Sequence, residues 1–272
     1  MNYLTQLYPP NSQPTPFPNT YLNHNLRHPH TPTPFIYANF ITSLDGRIAI
    51  PHPSRPGLTI PATITNDRDW RLYQELTAQA DLVISTGRYL RDWADGRAQE
   101  ILQTDDPRFA DLRQWRQDHN LPPYPDIAII SASLDFPLPD ILTQNGRQIH
   151  IFTVEVAPQD RYQQLSQQTN NIHTLGHTEI DGQQLLNTFK TLGYQTIYSA
   201  AGPQILHLLL THNLLNRLYL TFAPHLLASN PFATILTGPQ LDPPPSLQLN
   251  TLYHDPHAFD GLGQLLASYD LH

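Results

Sequence analysis

The stretch IYANFITSLDGRIA, residues 36–49, decides how the rest of the chain is interpreted. Its apolar, β-branched and aromatic residues predict a buried strand over Ile36–Ile41. The strand is followed by Ser-Leu-Asp-Gly at residues 43–46, which places a carboxylate and a flexible glycine at its carboxyl end. Ligands of open α/β sheets bind at this end of the strands, so Asp45 is a candidate site residue. A strand followed by an ordinary Asp-Gly turn is the structural alternative.

Strand and helix signals alternate along most of the chain, which predicts an α/β fold with a mainly parallel twisted sheet and helices on both faces. The predicted strands are Ile36–Ile41, Leu82–Ile84, Ile127–Ile130, Ile149–Phe152, Ile172–Leu175, Thr196–Tyr198 and Arg217–Phe222. The predicted helices are Asn66–Gln79, Asp111–His119, Arg161–Gln168, Gly182–Leu192 and Gln204–Thr211. Apolar and polar residues alternate over Leu247–Leu252, as in a strand with one buried face, and Leu265–Tyr269 follows as a pairing partner. The two segments predict an antiparallel C-terminal hairpin at one sheet edge.

The N-terminal segment has a different composition, because residues 9–34 hold eight prolines. Proline cannot sustain a helix or a central strand, so we expect an extended arm that either lies on the body or is disordered. This divides the chain into an arm over residues 1–34 and one domain over residues 35–272. The apolar anchors Tyr21, Leu22 and Leu26 are few, so we expect the arm to add little to the core.

Composition excludes several classes of protein. The 272 residues carry a formal net charge of −8, which disfavours binding to nucleic acid. The chain has no cysteine, so disulfides, thiolate nucleophiles and cysteine-based zinc sites are excluded. The first twenty residues are polar and proline-rich rather than a secretory signal, and no apolar run approaches the roughly 18 residues that span a bilayer. We expect a cytoplasmic protein that does not bind a membrane.

The common nucleotide and hydrolase fingerprints, G-x-G-x-x-G, the P-loop and G-x-S-x-G, are absent from the sequence. Two other strand–turn–helix junctions remain, and each can offer backbone N–H groups to a phosphate. One comprises Ala200, Ala201, Gly202, Pro203 and Gln204, and the other comprises Thr86, Gly87 and Arg88. Without a phosphate, the first junction would be an ordinary turn between a strand and a helix. The second would be a helix start with a solvated arginine.

Histidines raise the question of a metal site. His173 and His177 are four residues apart, and His24, His28 and His30 cluster in the arm. The spacing of a zinc-binding H-E-x-x-H helix is missing, so we interpret these as surface or core histidines and expect no metal.

The order of the motifs resembles the reductases of riboflavin biosynthesis, which belong to the dihydrofolate-reductase-like superfamily. The segments that carry the resemblance are SLDG at 43–46, ADLVI at 80–84 with TGR at 86–88, AAGP at 200–203, and LLNRLYLTFAPHLL at 214–227. The resemblance covers about residues 35–270, all but the arm. Relatives often carry a zinc deaminase before the reductase, whereas this sequence has no cysteine and few residues before Ile36, so we expect a reductase domain alone.

The resemblance implies an NADPH-dependent reductase that converts a phosphoribosylamino-pyrimidine to its ribitylamino form, as 5-amino-6-(5-phosphoribosylamino)uracil reductases do. It also implies a homodimer with a small-molecule substrate, with Asp45 as the catalytic residue. The implied substrate-binding residues are Asn39, Thr42, Ser43 and Asp45. The implied cofactor-binding residues are Thr65, Thr86, Gly87, Arg88, Ala200, Ala201, Gly202, Pro203 and Gln204.

Several positions depart from the family pattern. Ala200 and Ala201 replace the usual Glu-Gly, Thr86 replaces a glycine, Thr77 replaces an arginine, and Asn216-Arg217 replaces Asp-Glu. Two hypotheses follow: an active NADPH-dependent reductase, favoured by Asp45, or a catalytically silent homologue that binds a nucleotide or a protein partner, favoured by the lost glutamate.

Overall fold

The computed structural model describes residues 3–27, 32–139, 142 and 146–271. The strands are β1 (Tyr3–Tyr8), β2 (Thr15–Pro16), β3 (Phe35–Ser43), β4 (Ile50–Pro51), β5 (Leu58–Thr59), β6 (Leu82–Thr86), β7 (Asp126–Ile130), β8 (Ile149–Thr153), β9 (Ile172–Thr174), β10 (Thr196–Ser199), β11 (Arg217–Ala223), β12 (Leu247–Asp255) and β13 (Gln264–Leu271). The α-helices are α1 (Asp67–Ala78), α2 (Gly87–Ala94), α3 (Ala110–Asp118), α4 (Gln159–Ser166), α5 (Gly182–Thr191) and α6 (Pro203–Thr211). The predicted alternation of strands and helices is confirmed.

The chain divides into two compact units. The first comprises Met1–Asn25, Ile36–Glu75 and Gly202–His272, and the second comprises Leu26–Phe35 and Leu76–Ala201. In the first unit, β4 and β5 form a separate antiparallel pair, and the other strands follow the order β2-β1-β12-β13-β11-β3, in which β3 and β11 are parallel and the other pairs are antiparallel. The strands of the second unit follow the order β10-β6-β7-β8-β9, and all of its pairs are parallel.

The parallel strands are almost continuously apolar, as expected for strands covered on both faces. β6, β7 and β8 read LVIST, DIAII and IHIFT, and nearly all of these residues are buried. β3 is longer, with FIYANFITS buried throughout except for two half-buried positions. Such runs form well-ordered strands whose ends can hold side chains in place.

Local signals in the sequence set the ends of the helices. The Asn66 side chain accepts hydrogen bonds from the N–H groups of Arg68 and Asp69, both at 3.0 Å, and therefore caps α1. Asp181 caps α5 in the same way, accepting from Gln184 N at 3.0 Å. Beyond α5, Gly193 has a φ of +84°, the left-handed conformation that glycine adopts without strain.

The expected position of the C-terminal hairpin is wrong in one respect. β12 and β13 do form an antiparallel hairpin, but β12 also pairs with β1, with Thr5 opposite His254. The hairpin is therefore covered on that side by the N-terminal strand, which the sequence analysis did not predict. β1 precedes the proline-rich run, so its backbone donors are available for pairing.

The expectation that the arm adds little to the core is also wrong. Its anchors Tyr21, Leu22 and Leu26 are all buried. The buried carboxylate of Glu75 accepts the N–H groups of Asn19 and Tyr21 at 2.6 and 2.8 Å. Of the two alternatives for the arm, the docked one is thus confirmed for residues 3–27.

We predict that the N-terminal strand contributes measurably to stability. Leu4 is fully buried and Leu7 is 46% exposed, although both lie on β1. Replacement of Leu4 by alanine should cost about 2–5 kcal/mol in the free energy of unfolding, because a buried leucine leaves a cavity. Leu7→Ala should cost at most about 0.5 kcal/mol. Urea unfolding of both variants measures the difference, and equal effects would show that β1 is only loosely attached.

Candidate active site

The carboxyl ends of β3 and β11 meet in the first unit. All of β11 pairs in parallel with residues 37–43 of β3, and Ser43 lies opposite Ala223 in the last pair. Just beyond it, the Leu44 N–H donates to the carbonyl of His225 at 2.8 Å. The segments that follow the two strands therefore leave the sheet side by side.

Asp45 binds these two segments together. Its carboxylate accepts hydrogen bonds from the Ser43 hydroxyl and from Arg47 Nη1, the latter at 2.7 Å. It also accepts the N–H groups of Leu227 and Ala228, at 3.2 and 2.9 Å. The Ser43 hydrogen bond, followed by that from Ala228, lowers the pKa of Asp45 to about 2. Asp45 is consequently an ionised acceptor at neutral pH rather than a proton donor.

Arg47 extends this contact, and the sequence analysis did not single it out. Its guanidinium lies 4.3 Å from the centre of the Phe232 ring, and the neighbouring Ile48 N–H donates to Ala233 O at 2.9 Å. These contacts hold residues 225–233 against the turn that follows β3. Two apolar side chains beside Asp45 are exposed, Leu44 at 60% and Leu226 at 72%.

The other proposed substrate residues lie on β3. Ser43 is buried and its hydroxyl also accepts the Arg47 N–H at 3.0 Å. Thr42 is buried and its hydroxyl donates to the Ser43 carbonyl at 3.0 Å. Asn39 is half-buried and lies opposite Tyr219 of β11. The structure thus brings Ser43 and Asp45 into direct contact and places Asn39 further back along the strand.

In the second unit, Ala200 and Ala201 of the first predicted phosphate-binding junction follow a strand that pairs with the strand leading into the second junction. β10 and β6 are parallel neighbours with Ser199 opposite Ile84, and the Ala200 N–H donates to the Ile84 carbonyl at 3.0 Å. Ala200 and Ala201 therefore emerge beside Thr86, which ends β6.

The three residues of the second junction have different environments. A Cβ on Gly87 would lie 2.5 Å from the buried Phe136 ring, so packing within the chain already requires a glycine there. Arg88 has a 59% exposed side chain whose Nε lies 3.5 Å from Asp92. Thr86 precedes α2 as a half-buried residue that makes no side-chain cap.

Gly202, Pro203 and Gln204 begin α6 in the first unit, with Pro203 in the first helical turn. Gly202 has a φ of −79°, which any residue adopts, and no described atom lies within 4 Å of the position of an added Cβ. Neither conformation nor packing explains this glycine. Open space beside a helix N-terminus fits the approach of a pyrophosphate to the backbone, so these residues fit a dinucleotide.

Thr65 stands apart from these junctions. It follows a short 3₁₀ turn, Ala62–Ile64, and its hydroxyl donates to the Ala62 carbonyl at 3.2 Å. The side chain is exposed, so Thr65 has no contact that assigns it to a site.

Two of the positions that depart from the family pattern have structural partners. Asn216 Oδ1 accepts the Ile36 N–H at 2.7 Å, which anchors the start of β3. Arg217 forms a bidentate pair with Asp270, at 2.6 and 3.1 Å. These replacements are therefore compatible with an intact strand pair.

Asp69 is a functional candidate that the sequence analysis missed. It lies in the first turn of α1, a common place for an acidic residue, so the sequence alone does not distinguish it. Its carboxylate instead accepts the Thr221 hydroxyl of β11 at 2.6 Å. Burial raises the pKa of Asp69 to about 6.

The histidines occupy polar contacts in their respective units. His24 lies between the hydroxyls of Tyr219 and Tyr253, at 2.9 and 3.0 Å, while His28 and His30 lie outside the described residues. His173 contacts His150 at 3.1 Å, and His177 contacts Glu155 at 2.9 Å. Across the described ranges, no three His, Cys, Asp or Glu side chains converge as a metal site would need. A membrane-crossing helix, long and apolar enough, is likewise not found among the described residues.

We predict that Asp45 holds the segment after β11 in place. Asp45→Asn removes the charge that attracts Arg47 and the Ala228 N–H, so hydrogen exchange at Leu227 and Ala228 should accelerate. Asp106→Asn, which alters a surface carboxylate bonded to Arg108, is the matched control and should leave that exchange unchanged. In the wild-type protein, NMR should show Asp45 titrating near pH 2. Unchanged exchange in Asp45→Asn, or titration near pH 4, would contradict the assignment.

Several solved structures share this fold. The structure is similar to a pyrimidine reductase-like protein from Corynebacterium diphtheriae, with a TM-score of 0.67 and 17% identity over 94% of this chain and 95% of that one. It is also similar to the riboflavin biosynthesis reductase Rib7 of Saccharomyces cerevisiae, with a TM-score of 0.54 and 13% identity over 94% of this chain and 98% of that one. At these identities the likeness concerns the fold, and it confirms the predicted fold class.

RibD of Acinetobacter baumannii is similar too, with a TM-score of 0.57 and 15% identity over 89% of this chain. The match spans 59% of that longer protein. Comparison with curated proteins finds no significant match. The model of the RibD C-terminal domain, however, matches residues 34–257, which include both strand-end sites described above. The chain therefore belongs to the RibD C-terminal domain family.

Proposed function

We propose that this protein is an NADPH-dependent reductase of riboflavin biosynthesis that acts on a phosphoribosylamino-pyrimidine, with residues 35–272 as its reductase domain. The observation that carries the proposal is the meeting of Ala200 and Ala201 with the end of β6, where small residues and backbone donors suit a nucleotide phosphate. Family membership and the pyrimidine reductase-like relative agree with this function.

The protein's own contribution is to bind and orient. We assign the cofactor phosphates to Thr86, Gly87 and Arg88 and to the backbone of residues 200–204, with Thr65 as a further member of the set. We assign the substrate to Asn39, Thr42, Ser43 and Asp45. When bound, NADPH supplies the hydride that reduces the former anomeric carbon of the opened sugar.

The environment of Asp45 is better suited to a fixed negative charge than to a group that donates and accepts protons during the reaction. A carboxylate has about four acceptor sites, and Ser43, Arg47, Leu227 and Ala228 supply four donors. Its pKa of about 2 keeps it ionised throughout the physiological range. We propose that it acts in catalysis by fixing the turn that faces the polar groups of the substrate. Asp45→Asn should therefore retain NADPH binding and reduce turnover.

The silent-homologue alternative is favoured by one feature, the replacement of the usual glutamate by Ala200. Steady NADPH consumption that requires the pyrimidine substrate would exclude this alternative. Tight NADPH binding without consumption, at any substrate concentration, would support it.

We predict that NADPH binds more tightly than NADH, with Arg88 meeting the additional phosphate. A charge-assisted arginine contact is worth about 1.5–3 kcal/mol, or roughly ten- to a hundredfold in affinity. Arg88→Ala should remove this preference, whereas Arg108→Ala, which alters another exposed arginine, should preserve it. Fluorescence titration of both nucleotides measures the ratios. Equal affinities in the wild-type protein would refute the NADPH preference, and an unchanged ratio in Arg88→Ala would assign it to another residue.

We also propose a cytoplasmic homodimer. Two leucines of the C-terminal hairpin are exposed to solvent, Leu247 at 38% and Leu265 at 39%. They remain exposed although β1 covers one edge of the hairpin. Burial of such side chains between two copies would remove them from water. Light scattering at micromolar protein concentration should give twice the mass of the chain. The mass of a single chain would refute the dimer.

A further inference from the structure

His24 connects the N-terminal arm to the sheet of the first unit. Its Nδ1 lies 2.9 Å from the hydroxyl oxygen of Tyr219 on β11, and its Nε2 lies 3.0 Å from that of Tyr253 on β12. The imidazole ring also stacks on both tyrosines, with centroid distances of 5.7 and 5.9 Å. One side chain of the arm thus contacts two strands of the sheet.

These contacts suit the neutral form of the imidazole ring, which has one N–H donor and one acceptor. The Tyr219 oxygen accepts a hydrogen bond from Arg217, so the hydrogen of this hydroxyl is available to Nδ1 of His24. The ring proton then lies on Nε2, where it is donated to Tyr253. A second proton, on Nδ1, would point at a hydroxyl that itself donates, and the contact with Tyr219 would be lost.

The charged groups around His24 disfavour its protonation. Arg217 repels a second cation, whereas Asp270 on β13 attracts one. The Asp270 carboxylate is already engaged, because it accepts hydrogen bonds from Arg217 and from the side-chain amide of Asn250. The adjacent Tyr21 ring stays uncharged, since burial raises the pKa of its hydroxyl. Burial, followed by Arg217, lowers the pKa of His24 to about 4.

A second titratable group holds the same stretch of the arm from the opposite side. The Glu75 carboxylate on α1 accepts the N–H groups of Asn19 and Tyr21, at 2.6 and 2.8 Å. Burial raises the pKa of Glu75, and the hydrogen bond from Arg71, at 2.8 Å, opposes this shift. Residues 19–25 are therefore held by a carboxylate on the helix and by a histidine against the sheet.

We propose that His24 is a proton-sensitive clasp, which fastens residues 19–25 to β11 and β12 while its ring is neutral and releases them when the ring takes up a proton. Release uncovers the aromatic face formed by Tyr219 and Tyr253. The pKa of His24 is about 4 in the docked arm and about 6.5 once the arm is free, so docking is strongest above pH 6.5 and weakens as the pH falls. Between pH 8 and pH 5 the docking equilibrium should weaken roughly thirtyfold.

The chain has no cysteine, so a single introduced thiol can report release of the arm. Leu22→Cys places the thiol at a buried position two residues before His24, and Ser12→Cys places one at an exposed position as the reference. The rate at which 4,4′-dithiodipyridine modifies position 22, divided by the rate at position 12, measures the fraction of released arm. This ratio should rise roughly thirtyfold from pH 8 to pH 5.

Two histidine substitutions in the Leu22→Cys background identify the titrating group. His24→Gln keeps a donor and an acceptor but cannot take up a proton, so the change should fall below about threefold. His177→Gln, which replaces an exposed histidine of the second unit, is the matched control and should retain the full change. A constant ratio from pH 8 to pH 5, or a full change that survives in His24→Gln, would overturn the clasp.

NMR of the unsubstituted protein decides the matter should Leu22→Cys or His24→Gln fail to fold. While the Tyr21 N–H remains protected from hydrogen exchange by Glu75, the His24 ring should keep the chemical shifts of the neutral form down to about pH 5. Its protonation and the loss of that protection should then occur together. Titration of His24 near pH 6.5 with the Tyr21 N–H still protected would overturn the proposal.

Discussion

The parallel pairing of β3 with β11 is the constraint on which the candidate site in the first unit depends. One register, with Ser43 opposite Ala223, brings Asp45 within reach of N–H groups more than 180 residues away in the chain. The same register puts Ile41 beside Thr221, whose hydroxyl donates to Asp69. A shift of one residue would turn these side chains to the opposite face. Asn216 and Arg217 secure the start of the pair through Ile36 and Asp270.

Three carboxyl groups of this unit show how environment assigns different roles to one chemical group. Asp45 is surrounded by donors, which lower its pKa to about 2 and make it a fixed anion that organises a loop. Glu75 is buried, and burial raises its pKa, but Arg71 and the N–H groups of Asn19 and Tyr21 provide partners. Asp69 is half-buried, and desolvation raises its pKa to about 6, while the Thr221 hydroxyl donates to its carboxylate. Asp45 and Glu75 are thus each held by several donors, whereas the described residues give the Asp69 carboxylate one side-chain hydrogen bond, from Thr221.

The sequence predicted the regular elements well because their signals are local. Continuous apolar runs marked β6, β7 and β8, and the predicted helices Asn66–Gln79 and Gly182–Leu192 agree with α1 and α5 to within a residue at each end. What it missed depends on contacts between distant residues. β1 becomes a strand by pairing with β12 at the other end of the chain. Asp69 resembles any acidic residue in a first helical turn until Thr221 is placed against it. Likewise, the sequence places Gly87 in a phosphate-binding junction, whereas the close approach of the Phe136 ring is enough to explain why this position is a glycine.

The central claim is that the protein transfers a hydride to a pyrimidine-linked sugar. Mass spectrometry of the product formed with NADPH that carries deuterium at the transferable position tests this most directly. We predict one deuterium atom in the ribityl chain, at the former anomeric carbon, for each NADPH consumed. Intact, folded protein that binds NADPH and the pyrimidine but forms no deuterated ribitylamino product would contradict the account.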